Sequence, residues 1–106
     1  MRILKDKEIE LIEFLTDSKF EIPHIVRDLN DGKMGSISFD IEDKWSRCDQ
    51  IAAAQFIDED GILVDVELTS NINGGLFELD FWKVDFSSLV SFPNIEKVKR
   101  KIQTTK

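Results

Sequence analysis

The chain is short of the residues that most site chemistry uses: in 106 residues it has one cysteine, one histidine and two prolines. Cys48 cannot form an internal disulfide, which agrees with a reducing compartment. One cysteine and one histidine cannot close a structural zinc site without carboxylates. A Cys48–His24 nucleophile and base pair would need the fold to bring the two together. The WSRCDQ surroundings of Cys48 show no helix N-terminus to lower the thiol pKa, and His24 after Pro23 reads as the start of a strand. No apolar run approaches the ~18 residues a membrane span needs. The opening MRILKDKEIE becomes charged before an apolar signal segment can form, so the expectation is a cytoplasmic protein without a membrane span. Internal repeats, low-complexity tracts, cofactor motifs and phosphate loops are also missing, and the glycines at 32, 61, 74 and 75 fit turns.

What is present is an ordinary globular composition, 42% hydrophobic and 33% charged. At this length one domain hides roughly two-thirds of the surface its unfolded chain exposes. The net charge of −7 is uneven. Residues 1–93 hold 9 Lys/Arg against 20 Asp/Glu, whereas residues 94–106 hold 5 against 1. An acidic body repels phosphates, so nucleic acid is not an expected partner and a basic protein is. The organisation expected is a single domain over 1–93 with a basic tail over 94–106.

Residues 6–17, DKEIELIEFLTD, predict an amphipathic helix. Leu4, Leu11, Ile12, Phe14 and Leu15 gather on one side at a 3.6-residue period, with Asp6 as cap and Glu8 near the positive end of the dipole. Three dipeptides then mark tight hairpins, Asp31-Gly32, Asp60-Gly61 and Asn73-Gly74. They predict strands near 24–30, 33–41, 50–59, 62–71 and 75–85, with IEDKWSRCDQ as a longer loop. FSSLVSFPN reads as a connection that packs Phe86, Leu89 and Phe92 on the domain, and NIEKVKRKIQ as a short helix capped by Asn94, with Ile95, Val98 and Ile102 on one side. The fold class expected is α+β: an N-terminal helix on an antiparallel sheet of about five strands, with a short C-terminal helix.

Counting outward from two-residue turns gives rows across the last three strands. Ala54, Glu67 and Asp80 form one row, Phe56, Asp65 and Trp82 the next, and Ala52, Thr69 and Glu78 a third. The opposite face, Ile57, Val64, Val66, Leu68, Phe77, Leu79 and Phe81, is the bed for the helix. Asp65, Glu67, Glu78, Asp80 and Trp82 are therefore the candidate binding residues. Like charges opposed on a sheet are destabilising by about 0.2–1 kcal/mol per pair, so a sequence that keeps several has a use for a positive group there, unless the face is merely solvated. The positive group is a basic protein, a cation or the chain's own tail. A metal-assisted hydrolase using the same carboxylates, and an oligomer formed through this face, are the alternatives. No catalytic residue, metal ligand or cofactor is assigned.

The strings NDGKMGSISF (30–39), IDEDGILV (57–64) and LFELDFWKVDFSSL (76–89), with the opening RILKDKEIELIEFL, resemble a family of small bacterial proteins, a domain of unknown function. ELDFWKVDF is the most specific part of the likeness, and the tail after Pro93 lies outside it. The resemblance implies a compact bacterial domain and gives no residue a role. In size and charge such proteins are also similar to immunity proteins that neutralise toxins.

Overall fold

The computed structural model of the chain describes residues 1–101. One helix, α1 (Asp6–Thr16), accompanies seven strands: β1 (Arg2–Ile3), β2 (Ile25–Asp28), β3 (Ile37–Ser38), β4 (Arg47–Ile57), β5 (Leu63–Asn71), β6 (Leu76–Lys83) and β7 (Lys99–Arg100). They form one antiparallel sheet in the order β1-β2-β3-β6-β5-β4-β7. The two strands beyond the expected five are the two-residue edges β1 and β7, too short to leave an alternation in the sequence. No helix among the described residues is long and apolar enough to cross a membrane.

The cap lies one residue earlier than expected, so that Asp6 is the first residue of the helix. Lys5 is the N-cap, and its N–H donates to the Glu8 carboxylate at 2.8 Å, satisfying a donor that the helix itself leaves open. Glu8 also takes both terminal nitrogens of Arg2, at 2.9 and 2.7 Å, which ties α1 to β1. Asp17, in the left-handed region at φ 55°, ends the helix. Leu11, Ile12 and Leu15 are buried against the sheet with Val64, Val66, Leu68, Leu79 and Phe81, and Phe14 is partly buried there.

The two hairpins differ from the two-residue turns expected. Gly61 N–H donates to the Asp58 carbonyl and Asp58 N–H to the Ile62 carbonyl, both at 2.9 Å, and Gly61 holds φ +82°. This is a four-residue turn closed by a glycine bulge, beginning at Asp58. Its extra residue slips β4 by one against β5, so Ala53 faces Glu67, Gln55 faces Asp65 and Phe56 faces Val64. A one-residue slip exchanges the two faces of a strand. Ala54 and Phe56, expected beside the carboxylates, are core residues, and Ile57, expected in the core, is 55% exposed. Asn73-Gly74 makes the same kind of turn, with Gly74 N–H on the Asn71 carbonyl at 3.0 Å. There a bulge between Leu68 and Ser70 reverses the slip, so that Glu67 faces Asp80 and Asp65 faces Trp82 as the sequence predicts. The expected third row is broken: Ala52 faces Leu68, and buried Thr69 sits at the bulge.

The Asp31-Gly32 reversal is a wider loop between β2 and β3, drawn together by Asp31, which accepts from Met34 N–H at 3.1 Å and Ser36 N–H at 3.0 Å. The C-terminal helix is replaced by a single 3-10 turn, Ile95–Lys97, after which the chain extends to pair Lys99 with Gln55 and Arg100 with Ala54. An unpaired edge of β4 and the Asp17 carboxylate, 2.7 Å from Arg100, hold this segment extended. Ile102 of the expected helix lies outside the described residues. Phe86, expected against the domain, is 63% exposed, while Leu89 and Phe92 pack on the core.

Candidate functional site

Strand alternation sets Glu78, Asp80 and Trp82 on the face of β6 away from the helix, and Asp65 and Glu67 on the same face of β5. The five residues singled out in the sequence thus share one face, all partly or largely exposed. A groove of about 630 Å³ runs over it, lined by Asp65, Glu67, Asp80 and Trp82 with Asp31, Gln50, Ala53 and Lys101 among its other walls. Glu78 is not in the lining; it stands one pleat further along β6, opposite Ser38.

The four carboxylates are not equivalent. Asp65 is paired with the ammonium of Lys101, delivered by the segment that follows β7. Glu67 receives Arg47 at 2.9 Å and the Gln50 amide at 2.5 Å. Among the described residues neither Glu78 nor Asp80 has an ion-pair partner. The guanidinium that acts on Glu78, that of Arg27, is committed to the Asp40 carbonyl at 2.8 Å and Asp43 at 3.3 Å.

Burial pushes Asp80 up to about 7, with the negative charge of Glu78, the hydrogen bond to Glu78, and the charges of Glu67 and Asp31 acting in the same direction. Burial also raises Glu78, against the hydrogen bond from Asp80 and the attraction of Arg27. Both carboxyls are thus raised, and because each acts on the other they titrate as a pair. Such a pair can exchange its proton for a cation.

Trp82 closes one end of the groove. It is 56% exposed, and its ring meets that of Phe86 edge-on with centroids 5.2 Å apart. The FSSLVSF connection thus meets Trp82 through Phe86 and leaves more than half of it exposed. Among the described residues, no group of three or more His, Cys, Asp or Glu side chains is arranged to hold a metal ion, which leaves the metal-assisted reading without a ligand set there. Cys48 is exposed on β4, with its thiol 3.8 Å from Asp49, and exposed His24 precedes β2; three strands stand between them in the sheet order.

One polar centre was not anticipated from the sequence. Lys83 lies on the core face of β6 and is 0% exposed. Its ammonium donates to Asp58 at 2.8 Å, Asp60 at 2.6 Å and the Ser88 carbonyl at 2.9 Å, which satisfies all three protons. Asp58 also accepts from the N–H groups of Glu59 and Val90, each at 2.8 Å. Burial alone would raise Asp58, but Lys83 and the amides of Val90, Glu59 and Ser91 hold it below the usual carboxylate range. Burial alone would lower Lys83, and the two carboxylates raise it instead. This centre ties Asp58, the first residue of the β4–β5 turn, to β6 and to the segment after it. The available signal was parity: Lys83 continues the apolar series Phe77, Leu79, Phe81, two residues apart.

A protein-family model described as Domain of unknown function (DUF6984) matches residues 1–93. No curated protein and no solved structure matches the chain.

Proposed function

This chain belongs to the DUF6984 family, which supplies a domain and no established activity, and from its own geometry we propose that it is a non-enzymatic binding domain whose acidic sheet face receives a basic protein. The observation that carries the reading is the Glu78–Asp80 pair: two partly buried carboxylates with no cationic partner among the described residues, on a face whose other two carboxylates are both paired. Asp80 also stands directly opposite Glu67, and like charges opposed across a sheet are destabilising. A cation from outside relieves the repulsion that the sheet maintains. The specific form of the reading is immunity-like, with the face occluding a basic toxin, and it is supported by size and charge. The setting is a cytoplasmic bacterial one.

The test is calorimetric titration of the full chain with the peptide acetyl-(Arg-Gly)4-amide at pH 6 and pH 8. A cation favours the ionised form of Asp80, which burial pushes up to about 7, so affinity is expected to be several-fold higher at pH 8, and the double variant Glu78→Gln, Asp80→Asn is expected to lose both the affinity and its pH dependence. Equal binding by the parent and the double variant would refute the reading.

A further inference from the structure

The acidic pair has an apolar neighbour on the same face. Ile57 faces Leu63 across β4 and β5, and Val84 N–H donates to the Leu63 carbonyl at 3.0 Å, so Ile57, Leu63 and Val84 make one row. Trp82 lies two residues from Val84 on that side, with Phe86 against its ring. Ile57, Val84, Trp82 and Phe86 are all exposed. Phe86 keeps φ at 64°, a region that non-glycine residues avoid, so its ring is held beside Trp82 against its backbone preference. Chains rarely spend exposed aromatics and an unfavourable backbone angle on a surface that stays wet.

Resting on the reading above, we infer that the partner presents an extended segment in which an arginine bridges Glu78 and Asp80 and a bulky apolar residue two positions away seats on Trp82 and Phe86. The cation is single because Lys101 and Arg47 already occupy Asp65 and Glu67, which leaves Glu78 and Asp80 as the open pair on this face. It is a guanidinium because two adjacent carboxyls present acceptors to a planar fork, whereas an ammonium acts as a point charge. The spacing follows from Asp80 and Trp82 being alternate residues of one strand, about 7 Å apart, which is also the i, i+2 distance in an extended partner. A second copy of the chain does not fit, since its equivalent face would bring the same carboxylates against these.

The experiment is amide chemical-shift mapping of the full chain with three acetylated, amidated peptides: Ser-Gly-Arg-Ser, Phe-Gly-Arg-Ser and Phe-Gly-Lys-Ser. The first is expected to shift the amides of residues 78–82. The second is expected to bind about tenfold more tightly, as burial of part of a phenyl ring gives, and to move the Trp82 indole and the Phe86 amide as well. The lysine peptide is expected to bind about fivefold less tightly than its arginine counterpart. Trp82→Ala is expected to remove the gain from phenylalanine while leaving the arginine shifts in place. No gain from phenylalanine, or equal binding of lysine and arginine, would overturn this inference and leave the acidic-face reading standing. No shift at residues 78–82 with any of the peptides would overturn both.

Discussion

Asp80 is where the face is most exposed to experiment. Its carboxyl titrates near 7 in the folded chain because burial and the charge of Glu78 disfavour the anion, and near the ordinary carboxylate value when unfolded. Between those values the folded state binds more protons than the unfolded one, so this group's contribution to stability is full below about pH 4 and is lost as pH rises through 7. Asp80→Asn removes the titration. The stability difference between variant and parent, measured by urea unfolding, is expected to grow across that window and to favour the variant at pH 7.5 by on the order of 1 kcal/mol. A variant less stable than the parent at pH 7.5 would mean that the carboxylate has an internal partner. At this scale the sequence was informative: alternation alone assigned Asp65, Glu67, Glu78, Asp80 and Trp82 to one face, because side-chain parity survives any register shift by an even number. It did not reveal Asp58 and Lys83, whose placement depends on a pairing between positions 25 residues apart.

Among the elements, the hairpins show how a correct turn location can still give a wrong register. Asp-Gly and Asn-Gly mark where the chain reverses, and both strands around each were legible. Whether the reversal takes two residues or four is not written in the dipeptide: both hairpins take the longer turn, and in the first the Asp58 side chain is also bonded to the buried Lys83. In β4 the resulting slip persists and moves Phe56 into the core; in β6 the bulge near Thr69 cancels it. Gly61 is the residue on which the first turn depends, since φ +82° strains any side chain although nothing lies within 4 Å of a Cβ built there. Gly61→Ala is expected to cost about 1–2 kcal/mol of unfolding free energy, from backbone strain alone. No loss of stability would show that the turn can relax to another geometry. The short edges β1 and β7 were not legible, because two-residue strands carry no period and exist only through what they pair with.

For the molecule as a whole, the family match ends at residue 93 and the sheet does not. Val98 is buried in the core, Arg100 stacks 4.7 Å over the Phe14 ring and pairs with Asp17, and β7 covers part of the β4 edge. Ending the chain after Pro93 is therefore expected to lower stability by on the order of 2 kcal/mol, the contribution of one buried valine and its neighbours, as read by urea denaturation. Unaltered unfolding would mean that the segment does not hold to the sheet in solution. The buried ammonium of Lys83 has a last consequence, for the order of assembly. A ribosome delivers Asp58 and Asp60 first and their cation only 25 and 23 residues later. The β4–β5 reversal thus emerges with two anions whose cation is still to come, so the ion pairs of this hairpin are completed by a residue that does not belong to it.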